Sequence, residues 1–354
     1  MLKEKVLDKA LQFESSIRTN RSRCLRMRFN GCSCNRCIDQ CRSGAISIDE
    51  GIRVRGNACT ECMLCVAACP SDSFEINGLD FYSLLGKLRR IPFPILGCKA
   101  RHDLLAHEKT FCMGFLSEEH LIALAAFMKA PLQMNLTKCS ECGNGFVAEV
   151  LQKRLQAVNE KTSLGIFDKI RLIDDASNLD YREVSFDRRG FFRALKDLTF
   201  LHAAGLFENE TTEGSGQAYS AKKIPFKRDV LNRVVNVLPG KDSRELLKAC
   251  YYSASINDSC NNCFACVGMC PSGALKITTS ESGPALAFSS SHCSGCGLCE
   301  LFCMNAALHL MRGFTGDNPS AFKMVKRIST ETKIDAETHA DRNRKGIGGG
   351  EAYA

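Results

Sequence analysis

The apolar positions of this chain change period from segment to segment. Between residues 88 and 177, three short runs (IPFPILGC, LQMNLTKC and IRLIDD) have the length and alternation of strands. Two stretches between them repeat their apolar residues at i, i+3 and i+4. In FCMGFLSEEHLIALAAFM a strand end passes into a helix capped by Ser117, with Glu118 and Glu119 in its first turn, and GFVAEVLQKRLQAVNE is the second helix. Alternating strand and helix predicts a small α/β layer with a parallel sheet. Residues 182–252 read as helices in FFRALKDLTFLHAAGLF and RDVLNRVVNVL, interrupted by ENETTEGSGQAYSAKK, a polar linker that lets the parts on either side vary their distance unless flanking helices dock. SGAISI, SDSFEI, SGALKI and NAALHL each read as a turn followed by a short strand. After residue 315 the chain becomes charged and ends in GIGGGEAYA, which predicts a disordered tail over 315–354.

Composition adds one anomaly. The 354 residues leave room for several cores, and 45% hydrophobic with 24% charged residues is ordinary for a globular protein. The chain also holds 22 cysteines and no tryptophan. Such density means disulfides in a short secreted chain and metal ligation in a reducing compartment. The opening MLKEKVLDKALQFESSIRTN mixes acids with bases and has neither a continuous apolar stretch nor a cleavage site. Arg89-Arg90 and Arg188-Arg189 are too internal for twin-arginine export. The longest apolar run, Leu121 to Met128, falls short of the roughly 20 residues that cross a bilayer. The expectation is a cytoplasmic chain without a membrane span.

Three cysteine runs share one spacing. Cys59, Cys62, Cys65 and Cys69 are followed by Pro70; Cys260, Cys263, Cys266 and Cys270 by Pro271; Cys293, Cys296, Cys299 and Cys303 by Met304. At this cysteine content, three more at fixed offsets arise by chance at only about two starts in ten thousand, so the repetition carries meaning. Thiolates three residues apart on a tight loop can reach three corners of one cubane, while the fourth ligand must come from elsewhere. The pattern resembles the bacterial two-cluster ferredoxins, present here twice. The resemblance implies a crossover in which the fourth cysteine of each run serves the other cluster. One cluster then takes Cys260, Cys263, Cys266 and Cys303, and its neighbour Cys293, Cys296, Cys299 and Cys270. In the N-terminal module Cys59, Cys62 and Cys65 pair with Cys41. Gly31 stands where the remaining run would begin, so either Cys24 or Cys32 joins Cys34, Cys37 and Cys69, or a three-iron cluster forms there.

The middle segment holds Cys98, Cys112, Cys139 and Cys142 at or just beyond the carboxyl ends of its strands. CMGFLSEEHL followed by KCSECGNG and a long helix resembles the iron-sulfur delta subunit of methyl-viologen-reducing hydrogenase, which implies a 2Fe-2S cluster. Structural zinc on the Cys139/Cys142 pair and unligated thiols are the other readings. Cys250 and the unused member of Cys24/Cys32 are expected to be free.

The predicted fold class is therefore α+β. Dicluster modules at 1–80 and 253–314 flank an α/β domain at 88–177, with a helical linker region over 182–252. No GxGxxG follows a strand and no Walker sequence occurs, so no flavin or nucleotide site is expected. Arg18, Arg21, Arg23, Arg26 and Arg28 lie within eleven acid-free residues of a chain with net charge +8, which suits an anionic cluster or an acidic redox partner. No nucleic-acid motif accompanies them. The leading expectation is an electron-transfer protein or subunit carrying four 4Fe-4S clusters, relaying single electrons between donor and acceptor oxidoreductases in anaerobic metabolism, with no catalysis of its own. The alternative is a redox enzyme in which the Cys139/Cys142 pair performs thiol–disulfide chemistry fed by the clusters.

Overall fold

The computed structural model describes residues 16–183, 222–280 and 283–327. In chain order its strands are β1 (Ile17–Thr19), β2 (Ile46–Ile48), β3 (Ile52–Val54), β4 (Phe74–Ile76), β5 (Ile95–Cys98), β6 (Glu108–Thr110) and β7 (Leu132–Asn135). They continue as β8 (Ile170–Ile173), β9 (Tyr252–Ile256), β10 (Leu275–Ser280), β11 (Gly283–Phe288), β12 (Leu308–Arg312) and β13 (Lys323–Arg327). Helices, small antiparallel sheets and one parallel sheet together are compatible with the α+β class.

The middle of the chain is the parallel sheet, in the order β6-β5-β7-β8. Ile95, Leu96, Leu132, Met134 and Ile170 from its strands are buried. Helices Glu118–Phe127 and Phe146–Lys161 make the crossovers. Ser117 caps the first, closing a capping box in which its own backbone N–H donates to His120 Nδ1 at 3.3 Å. Strand β6 escapes periodicity analysis because Glu108, Lys109 and Thr110 are polar; it forms an edge, paired only with β5.

The flanking stretches follow one strand plan. On the N-terminal side β1 pairs antiparallel with β4 and β2 with β3. On the C-terminal side β9 pairs with β12 and β10 with β11. Short helices follow the cysteines: Arg36–Asp39 and Leu64–Ala68 in one stretch, Ala265–Met269 and Leu298–Phe302 in the other.

RDVLNRVVNVL falls within helix Phe226–Val237, which packs on Glu118–Phe127, burying Val230, Leu231 and Val234, and helix Gly240–Cys250 adds Leu246 and Leu247 to the same core. An apolar face at i, i+1 and i+4 needs a partner, and the middle domain supplies one. The tail expected from residue 315 contributes β13, whose Met324 and Lys326 pair with Ala287 and Leu286 of β11. The FFRALKDLTFLHAAGLF segment, most of the polar linker, the first fifteen residues and the chain after Arg327 lie outside the described residues. Among the described residues no helix is long and apolar enough to cross a membrane.

Candidate functional site

The cysteine-bearing loops repeat a local geometry that their sequences share only in part. After each of the four terminal cysteines of the runs, the backbone N–H four residues on donates to the sulfur. Ala45 bonds Cys41 at 3.3 Å, Ser73 bonds Cys69 at 3.2 Å, Ala274 bonds Cys270 at 3.3 Å and Ala307 bonds Cys303 at 3.3 Å. The residue three past each of these cysteines is left-handed: Gly44, Asp72, Gly273 and Ala306 have φ of 61°, 52°, 72° and 45°. A second repeat surrounds the second cysteine of each regular run, where Glu61 and Met63, Asn262 and Phe264, and Gly295 and Gly297 are all left-handed. Four of those six are not glycine, and each costs about 1–2 kcal/mol in that conformation. Strain this regular persists where surrounding structure demands it.

The sulfurs gather in four groups. Burial pushes the Cys37 thiol up to about 12, and Cys69, Cys24 and Cys34 lie near enough to push it further. Burial likewise raises Cys65, with Cys62 and Cys59 beside it, while Cys41 adds to the rise at Cys59. In the C-terminal stretch burial lifts Cys266 to about 11, reinforced by Cys263, Cys260 and Cys303. Cys299 is raised by burial and then by Cys296, Cys270 and Cys293. Each group thus combines three cysteines of one segment with the terminal cysteine of the other. Thiols held together in this way resist ionising jointly unless a cation joins them, which is the coupling expected of a metal-binding pocket before loading.

Of the two candidates in the irregular run, Cys24 stands in the group with Cys34, Cys37 and Cys69. Helix Leu25–Arg28 and the turn after it return the chain from Cys24 to Cys34. Cys32 is buried among Leu25 and Leu298 in a small apolar cluster that also touches Phe29, Cys34, Met269 and Cys296. Cys250, the other cysteine outside every group, is raised to about 11 by burial.

The middle cysteines meet at the carboxyl edge of the parallel sheet. Cys98 ends β5, Cys112 follows β6, Cys139 and Cys142 follow β7, and all four line one small pocket with Leu104, Met113, Leu136 and Val147. The Cys112 thiol donates to Cys98, which holds Cys98 down to about 6 and pushes Cys112 up. Burial raises Cys139 to about 11, with Cys142 and Cys98 contributing. Cys139 therefore lacks the depressed pKa that an attacking thiol needs, and the thiol held low at this edge is Cys98. Gly145 approaches this loop so closely that a Cβ there would lie 2.4 Å from the Cys139 carbonyl oxygen.

Neighbouring groups adjoin one another. Cys37 adds to the charge felt by Cys65, and Cys62 to that felt by Cys112. Asn144 Nδ2 donates to Thr60 O at 2.7 Å, joining the middle edge to the Cys59–Cys65 loop. At the other side Phe29 meets Phe302 edge-on at 4.8 Å, and Arg28 Nε donates to Met269 O at 3.3 Å. Arg36 lies near enough to lower the Cys296 thiol, whose pKa burial raises to about 11. None of the 22 cysteines is joined in a disulfide, and Cys263 alone among them is exposed.

The donor sets are wholly sulfur, and their loops aim backbone N–H groups at sulfur, a combination that suits an anionic iron-sulfur cluster. Among the described residues no three His, Cys, Asp or Glu side chains gather around one point tightly enough to hold a single metal ion. A family model described as a 4Fe-4S dicluster domain matches residues 259–307, which contain eight of the run cysteines. The match supports an iron-sulfur electron-transfer role for this chain. It covers the C-terminal module; neither a second copy nor a hydrogenase delta-subunit match accompanies it. No curated protein and no solved structure matches the chain.

Proposed function

We propose that the chain is a polyferredoxin-like relay that holds four 4Fe-4S clusters and one 2Fe-2S cluster, and carries single electrons between two redox proteins. Cys260, Cys263, Cys266 and Cys303 hold the first cubane, and Cys293, Cys296, Cys299 and Cys270 the second. Cys24, Cys34, Cys37 and Cys69 hold the third, Cys59, Cys62, Cys65 and Cys41 the fourth, and Cys98, Cys112, Cys139 and Cys142 the smaller cluster. The observation that carries this reading is the fourfold repeat of an N–H···Sγ bond and a left-handed residue behind each crossover cysteine. It recurs in the N-terminal stretch, including the run whose first cysteine is replaced by Gly31.

The contacts between groups support the order just given. The C-terminal stretch meets the N-terminal one at Leu298, Cys32 and Leu25, and the latter meets the middle edge at Cys62 and Cys112. Bound clusters supply the single-electron chemistry. The chain's own groups fix their spacing, bury most of the cysteines of the two groups around Cys37 and Cys299, and leave access at the C-terminal end. Exposed Cys263, with Met304 fully exposed and Leu301 half-exposed, marks the C-terminal end as one docking site for a redox protein.

Anaerobic reduction followed by electron paramagnetic resonance tests the reading. Spectra broadened by coupling between reduced 4Fe-4S clusters are expected at full reduction, resolving into simpler signals when Cys266 or Cys65 is replaced by serine. Spectra without any 4Fe-4S signal would remove it.

A further inference from the structure

Two lysines, five residues apart, reach equivalent places in the two cysteine-rich stretches. Lys227 Nζ donates to the carbonyl oxygens of Val66 at 3.4 Å, Ala67 at 2.7 Å and Cys69. Lys222 Nζ donates to those of Val267 at 3.1 Å, Gly268 at 2.6 Å and Cys270 at 2.7 Å. The acceptors stand at the same offsets: three before, two before and at the crossover cysteine. In each case they are the free carbonyls at the end of a helix, Leu64–Ala68 or Ala265–Met269, where a cation is favoured by the helix dipole.

Both lysines also fall on the same side of the relay. Cys69 and Cys270 belong to the two groups that face each other across the junction of Leu25, Cys32 and Leu298. Further cations crowd that junction. Arg28 donates to the Met269 carbonyl beside Cys270, Arg23 Nη1 donates to Asp72 O at 3.3 Å, and the charge of Arg228 reaches Cys293. Asp72 and Glu119 are the acids nearest Lys227; the Asp72 carboxylate accepts from the Phe226 N–H, and Glu119 accepts from the Ser117 hydroxyl at 2.7 Å. Neither acid takes the ammonium away from the carbonyls of the Cys69 helix.

A cluster that gains an electron gains negative charge, so a fixed cation beside its ligand favours the reduced form and raises its potential. We propose that Lys222 and Lys227 are a matched pair of positioning residues that raise the reduction potentials of the two inner cubanes, so that electrons rest in the middle of the relay. The inference depends on the cluster assignment above. Lys227 is 7% exposed and acts through a medium that screens weakly, whereas Lys222 is exposed and acts through water.

The test is redox titration of the anaerobically prepared full chain, with Lys227→Gln, Lys222→Gln and the double variant, each assayed first for iron and sulfide. For Lys227→Gln the ratio of reduced to oxidised inner cluster at fixed potential is expected to fall about tenfold, which is 59 mV for a one-electron couple. A fall of about threefold is expected for Lys222→Gln. The outer clusters serve as internal reference and stay in place, and Lys227→Arg restores the parent value. Fully loaded variants whose potentials do not move, or move equally at inner and outer clusters, would overturn the inference while leaving the cluster assignment standing. Parent protein devoid of iron would overturn the assignment itself. If Lys227→Gln cannot be loaded, exposed Lys222 decides the matter alone.

Discussion

At the scale of single residues, Cys24 and Cys32 show what spacing carries and where it stops. The regular runs are legible because thiolates at fixed offsets need no knowledge of the rest of the fold. The irregular run is not, since the choice depends on a helix and a turn that return Cys24 to Cys34, and on a neighbour, Leu298, almost 270 residues away. Cys24→Ser is expected to remove one cubane or convert it to a three-iron cluster. Cys32→Ser should leave iron and sulfide unchanged and cost about 1–2 kcal/mol for burying a hydroxyl among apolar groups. Iron analysis and anaerobic denaturation of the two variants separate these outcomes; equal iron loss in both would refute the assignment of Cys24.

His120 makes a second residue-scale prediction. It is 3% exposed, and burial holds its pKa down to about 3, with Glu119 opposing and Lys227 and Arg154 adding to the fall. Its neutral Nδ1 accepts the Ser117 N–H, so protonation breaks the capping box. Because the folded pKa lies below the unfolded value of about 6.5, this contribution is complete above about pH 6.5 and is lost as pH falls toward 3. Denaturation of the parent should therefore become easier between pH 7.5 and 5.5. His120→Ala should cost about 3 kcal/mol at pH 7.5 and lose less on acidification. An unchanged dependence on pH would show that the imidazole is not its source.

Among elements, the strands β5, β7 and β8 and the two crossover helices are legible because apolar period survives in them. Strand β6 is not, for Glu108-Lys109-Thr110 becomes a strand only through its neighbour. Helix Phe226–Val237 shows the reverse: its apolar face is plain in sequence, but its partner helix Glu118–Phe127 lies a hundred residues earlier. Leu231, fully buried between them, should cost about 2–4 kcal/mol when cut to alanine, measured by anaerobic denaturation. Gly114 governs another junction. A Cβ there would lie 2.0 Å from the Cys62 carbonyl oxygen, so Gly114→Ala must push the cysteine loop and the middle domain apart. Weaker magnetic coupling between the middle cluster and its neighbour is the expected consequence, and unaltered coupling would contradict the proposed adjacency.

Across the whole molecule, the arrangement joins residues from both ends of the chain through contacts that no local pattern carries. The junction of Leu25, Cys32 and Leu298 and the lysine pair at 222 and 227 tie the two cysteine-rich stretches together, while Asn144 and Thr60 tie the N-terminal one to the parallel sheet. Composition announces sulfur ligation, and under the proposed assignment the assembled fold sets the order of the centres. The account stands most directly on the content of iron and acid-labile sulfide per chain after anaerobic purification and reconstitution. About sixteen irons for four cubanes, and about eighteen with the middle cluster, are predicted, with sulfide in equal amount. A colourless protein carrying zinc, or about eight irons confined to the C-terminal stretch, would contradict it.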